Sequence, residues 1–249
     1  MKVHFEHIAI AVHEEDFAAW YRLLRGSLGG TASMGGDAAE LGFHGVQVSY
    51  PCGGMLELIS WTVPRNPDSP IVKYVERHGP RAALHHLTFL VDSLDGARER
   101  CRELGYEFMQ GRDDAYWKEI YLRAPFLEPP KMLIQVLEAD KEMARAAAGD
   151  AVRVDSNVST AAAATRIAGV RVACSDAEAA TALFCGLLGA HAEPDVLTWP
   201  GSTMRIELVP GASAGDSHIV IVPPAGVSPL DGEGVPAEAD SLVRHRGLA

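Results

Sequence analysis

The chain contains no run approaching the roughly 20 consecutive apolar residues that a membrane-spanning helix needs. Its first residues, MKVHFEHIAIAVHEED, turn acidic after a short apolar stretch, so they lack the apolar core of a secretion signal. Basic residues are in deficit: 22 Lys plus Arg stand against 33 Asp plus Glu, a formal net charge of −11, and no local basic patch offsets it. Such a chain repels nucleic acid and anionic membrane surfaces. Cysteine is scarce as well. Cys52, Cys101, Cys174 and Cys185 show neither CxxC spacing nor the density of a disulfide framework, and free thiols in a reducing compartment are expected. These absences predict a soluble cytoplasmic protein whose partner is a small molecule. With 47% apolar residues in 249, the chain can still bury one large core or two modest ones.

What is present is a repeat. HIAIAVHEEDFAAWYRLLRGSLGG from His7, HLTFLVDSLDGARERCRELGYE from His86 and GVRVACSDAEAATALFCGLLGA from Gly169 share one plan. Each opens on about six apolar residues, passes an acidic or polar turn, continues with helical spacing and ends at Leu-Gly. Acidic starts and glycine ends are helix boundary signals, so each copy reads as a strand followed by a helix. Short β-prone runs bounded by Gly, Pro and Asp follow each helix, GVQVSY and GMLELIS after the first, KEIYLRAP and KMLIQVLE after the second, TMRIELVP after the third. The unit is βαβββ and the fold class α+β. Residues 141–166, rich in Ala and small polar side chains, read as a frayed helix leading into a linker. The expected organisation is a domain of two units over 1–140, the linker 141–166, and an incomplete second domain over 167–249. There the third unit is followed by the strand HIVIVPP and a tail with too few β-prone residues to complete a fourth. An incomplete unit leaves an edge or apolar face to cover, which predicts a homodimer.

Strand alternation sorts the polar residues. Ile8, Ile10 and Val12 form the bulky face of the first strand and leave His7, Ala9 and Ala11 opposite. In the second copy Leu87, Phe89 and Val91 are the bulky face, which leaves His86, Thr88 and Leu90 in phase with His7. The neighbouring His85 falls on the other side and is assigned no ligand role. In the last strands of the two units, Glu57 and Gln135 each stand at the centre of an apolar run, where a polar side chain needs a partner. Any one of these residues alone has an ordinary structural explanation. Four of them at two equivalent pairs of positions suit a divalent metal such as Zn, Ni, Co, Mn or Fe, held by His7, Glu57, His86 and Gln135.

EHIAIAV, MLELIS, DSPIVKYVERHGPRAALHHLTFLVDSLDGARERCRELG and MLIQVLE resemble the vicinal oxygen chelate superfamily over residues 1–140, in the methylmalonyl-CoA epimerase and glyoxalase I branch. The resemblance implies paired βαβββ modules closing into a metal-holding cup, and its four metal positions fall on His7, Glu57, His86 and Gln135. There are departures. The last position is usually Glu, often with a catalytic role, and here it is Gln135. The carboxylate that the epimerases tend to carry near GVQVSY has no match, since Gln47 and Val48 stand there. In the third unit Gly169 takes the place of His7, while Glu207 and His218 fall where Glu57 and His86 would.

A metal held by two imidazoles, one carboxylate and one amide would keep a net charge of +1 and stabilise an enolate. The expected activity is therefore that of a metal-dependent lyase or isomerase of the glyoxalase and epimerase type, acting on a small 2-oxo, 2-hydroxy or acyl-thioester compound, with Glu57 as the base. Asp113, Asp114, Tyr116, Lys118, Glu119 and Tyr121, in a run that also reads as a solvated hairpin, are candidates for a second acid or base. Arg77, His78 and Arg81 form a candidate basic rim. The alternatives are a non-catalytic small-molecule binding or resistance protein and, less favoured, an extradiol-type dioxygenase with His7, His86 and Glu57 around iron.

Overall fold

Each copy of the repeat opens on β-branched and apolar residues and closes its helix on Leu-Gly, and the backbone follows that plan. The structure is a computed structural model that describes residues 1–38, 42–78, 82–128, 132–148, 165–213, 216–225, 230, 235–236 and 239–245. The first copy runs β1 (Val3–Val12), α1 (Glu14–Arg22), β2 (Thr31–Ala38), β3 (Phe43–Ser49) and β4 (Met55–Trp61). After α2 (Pro70–His78), the second runs β5 (Ala82–Val91), α3 (Leu94–Leu104), β6 (Phe108–Asp113), β7 (Trp117–Arg123), a short β8 (Leu127–Glu128) and β9 (Leu133–Ala139). Then come α4 (Lys141–Ala148) and the third copy, β10 (Arg166–Cys174), α5 (Ala177–Ala182), β11 (His191–Glu193), β12 (Val196–Thr198) and β13 (Arg205–Pro210). The tail contributes more than its composition predicts. It forms α6 (Ala239–Leu242) and β15 (Val243–His245), the latter parallel to β14 (His218–Val222). First and last strands of the second and third copies pair in the same parallel way. Most of the predicted linker, 149–164, lies outside the described residues.

Local chemistry accounts for the helix ends. Ser93 Oγ accepts the Gly96 N–H at 3.1 Å to start α3, and Asp176 Oδ1 accepts that of Ala179 at 2.9 Å to start α5. The glycines of the three Leu-Gly pairs, Gly29, Gly105 and Gly189, all take positive φ, the left-handed turn that stops a helix cheaply only at glycine. α1 and α5 share one further irregularity: each runs into a π-helical turn, Leu23–Ser27 and Leu183–Leu187.

The strands form two sheets, one ordered β2-β3-β4-β1-β5-β9-β7-β6, the other β11-β12-β13-β10-β14-β15 with β8 against β10. The chain divides into two compact units of non-consecutive segments. Met1–Ile8, His85–Ala147 and Gly169–Ser217 make the first, whose aromatic core stacks Phe5 on Phe89 at 5.0 Å, with Trp199 4.9 Å from Phe89. Ala9–Leu84, Ala148–Ala168 and His218–Ala249 make the second, where Ile59, Trp61, Ile71, Val72, Tyr74 and Val75 pack together. All four cysteines are free thiols. Among the described residues, no helix is long and apolar enough to cross a membrane.

Candidate metal centre

β1, β5 and β9 carry the predicted polar residues into a buried setting because the rest of each strand is apolar. His7, His86 and Gln135 are 1%, 4% and 5% exposed. Parallel register sets Thr88 beside Gln135, and antiparallel register sets Tyr121 on its other side. A hydrogen-bonded chain results. Thr88 Oγ1 donates to Gln135 Oε1 at 2.6 Å and lies 2.8 Å from His7 Nε2. The amide nitrogen of Gln135 donates to Glu119 Oε2 at 2.7 Å and to the Tyr121 hydroxyl at 2.9 Å.

Each strand histidine also meets the side chain that precedes it. His7 Nδ1 lies 2.9 Å from Glu6 Oε2, and His86 Nδ1 lies 2.7 Å from His85 Nδ1. A carboxylate can only accept, so His7 donates from Nδ1 to Glu6, and its Nε2 faces Thr88, whose own hydroxyl hydrogen goes to Gln135. Glu6 is in turn held by Lys141, the first residue of α4, at 2.7 Å. Burial alone would raise the Glu6 carboxyl, but the bond to His7, the charge on it and Lys141 outweigh burial and hold it at about 2. His85 is thus a partner of His86 and not a bystander. Alternation concealed both Glu6 and His85, because it sorts side chains by face, whereas Nδ1 sits close enough to the backbone for a neighbour to reach it.

On β4, Glu57 stands opposite Gln47 of β3, whose amide nitrogen donates to Glu57 Oε1 at 3.4 Å. Among the described residues, His7, Glu57 and His86 form a group that could hold a metal ion, with ligand atoms within 4.8 Å of one another. The donor set fits a divalent cation: two imidazoles, each with Nδ1 engaged by a neighbour, and one carboxylate.

The remaining candidates divide. Asp113 pairs with Arg98, Asp114 with Arg112, Tyr116 accepts from Arg112, and Lys118 meets Glu138, all surface partnerships. Glu119 and Tyr121 reach Gln135 instead, so that part of the hairpin is not solvated: Glu119 is only 8% exposed. Arg77 is exposed, and Arg81 and the side chain of His78 lie outside the described residues. In the third copy Glu207 faces Arg171 at 3.5 Å and His218 is buried. Gly169, at φ 136°, presses so closely on β13 that a Cβ would lie 1.9 Å from the Arg205 carbonyl oxygen.

Residues 5–188 match the family model of the glyoxalase-like domain. The chain belongs to the glyoxalase-like domain family. This agrees with the vicinal oxygen chelate resemblance and with the mixed α+β architecture of βαβββ units. Two of the similar solved structures repeat the fold. A hypothetical protein from Staphylococcus aureus is 12% identical, with 92% of this chain and 94% of that one covered at a TM-score of 0.58. A variant of 4-hydroxymandelate synthase from Streptomyces coelicolor is 12% identical, covering 89% of this chain and 71% of the synthase at 0.56. Methylmalonyl-CoA epimerase from Mycobacterium tuberculosis is 21% identical, covering 56% and 90% at 0.45. No curated protein matches the sequence.

Proposed function

We propose that this glyoxalase-like protein is a metal-dependent lyase or isomerase acting on a small 2-oxo, 2-hydroxy or acyl-thioester substrate. The observation that carries the reading is the grouping of His7, Glu57 and His86. In this reading their ligand atoms hold one divalent ion, with the Gln135 amide oxygen as a neutral fourth donor. The ion, when bound, supplies Lewis-acid stabilisation to oxygen atoms on which negative charge develops.

The protein's own groups do the rest. Glu6 holds a His7 proton on Nδ1, which leaves Nε2 to ligate the ion in place of its contact with Thr88, and His85 occupies His86 Nδ1 at 2.7 Å, which leaves the Nε2 of His86 for the same role. Glu57, half-buried and the sole carboxylate of the set, is the base that takes a proton from the carbon beside the carbonyl and returns it on the same side. The apolar strand residues around the group limit water, which strengthens each of these interactions.

The test is metal content together with substrate proton exchange in D2O across a panel of 2-oxo acids and acyl-CoAs. About one divalent ion per chain and exchange with at least one substrate are expected; protein that stays metal-free after incubation with Ni, Co, Mn and Zn overturns the reading. His86→Ala should remove both metal and turnover, by more than the roughly 10- to 100-fold that altering an outer partner costs. The neutral, fully hydrogen-bonded Gln135 favours a second reading, a sequestering protein that binds without turnover. A metal-free binder would keep its ligand affinity in His86→Ala.

A further inference from the structure

The carboxylate missing from position 135 is found one strand away. Glu119 Oε2 accepts from Gln135 Nε2 at 2.7 Å and from Trp117 Nε1 at 2.8 Å, while its Oε1 accepts the Arg112 backbone N–H at 3.3 Å. Tyr121 takes the second amide hydrogen of Gln135 at 2.9 Å. Two acceptors therefore claim the nitrogen end of the amide, and the oxygen end is left to Thr88, whose hydroxyl lies 2.8 Å from His7 Nε2.

Space for this arrangement is provided by β6. A Cβ on Gly111 would lie 2.5 Å from Glu119 Cγ and 2.9 Å from the Tyr121 ring, so Glu119 takes its place over a residue with no side chain. The first copy also joins a glutamine and a glutamate across its third and last strands: there Gln47 donates to Glu57 directly opposite it, whereas Glu119 lies two residues from Tyr121, the residue opposite Gln135.

We propose that Glu119 is a positioning residue of this site. It turns the Gln135 amide so that the oxygen, the one atom of the group able to ligate a cation, faces Thr88 and His7, and it excludes a carboxylate from position 135. Glutamate at 135 would set two carboxylates at about the 2.7 Å now spanned by the amide bond, in a pocket with little water to screen them. An amide at 135 suits the Glu119 carboxylate beside it, and a second carboxylate does not. The ligand part of this inference rests on the metal reading above; the pairing does not.

Two measurements separate the parts. Chelator competition with Ni or Co should show Glu119→Leu binding roughly 10- to 100-fold more weakly than the parent, with Glu119→Gln, which still offers an acceptor oxygen, close to the parent. Affinity of Glu119→Leu within about twofold of the parent overturns the orienting role. In metal-free protein, Gln135→Glu should lower Tm by at least about 4 °C, and the exchanged double variant Glu119→Gln/Gln135→Glu should recover it. Equal Tm for Gln135→Glu and parent, or no recovery in the double variant, overturns the exclusion. A parent that binds no metal overturns the function proposed above, while the Tm comparison still decides the pairing.

Discussion

Glu6 carries a measurable signature. Its side chain is 9% exposed, yet His7 and Lys141 hold its carboxyl at about 2, below the usual carboxylate range. A carboxyl depressed in the folded state stabilises the fold above its ordinary titration point and loses that contribution as pH falls toward the folded value. For metal-free protein, the parent should exceed Glu6→Gln by about 3 kcal/mol at pH 6 to 7, and the gap should close between about pH 4.5 and pH 2. Denaturant melts of both proteins across that window check it; a gap independent of pH would mean that Glu6 acts without its charge. At this scale the sequence was legible where a polar residue interrupts an apolar strand, as His7, Glu57, His86 and Gln135 do. It was opaque where a role depends on side-chain reach. Glu119 lay in a run of charged residues, RDDAYWKEIY, whose members look alike until strand pairing buries one of them.

Elements were legible because the signals are local. Acidic starts, the three Leu-Gly ends and the β-prone runs each act within a few residues, and all three copies obeyed them. The π-helical turns after α1 and α5 were not legible, since an added residue in a turn leaves no pattern of its own. Nor was β15, a strand of three residues whose stability comes from pairing with β14 and not from composition. Gly169 belongs to this scale too. Both its positive φ and its approach to Arg205 disfavour any side chain, so Gly169→Ala should destabilise the protein by on the order of 2 to 4 kcal/mol. Thermal melts of the variant check this; a shift under 1 °C would show that β13 yields freely.

Across the whole molecule, composition anticipated a buried apolar core and unpaired thiols, and the thiols now differ among themselves. Burial pushes Cys101 up to about 11 and raises Cys174 and Cys185, whereas Cys52 is exposed. Exposure sets the order of labelling, so in the native chain Cys52 should be alkylated first, ahead of the half-buried Cys185, and all four cysteines after unfolding. Mass spectrometry of native and denatured samples gives the count, and rapid native labelling at Cys101 would contradict its burial. The division into two non-consecutive units was not legible, because it depends on contacts between copies and not on any stretch of sequence. The contact between Gly169 and Arg205 has a consequence for the third copy. A histidine at 169, the place that His7 holds in the first copy, would set its Cβ against the backbone of the neighbouring strand. The contact works as a lock: giving the third copy that histidine would require refitting β13 first.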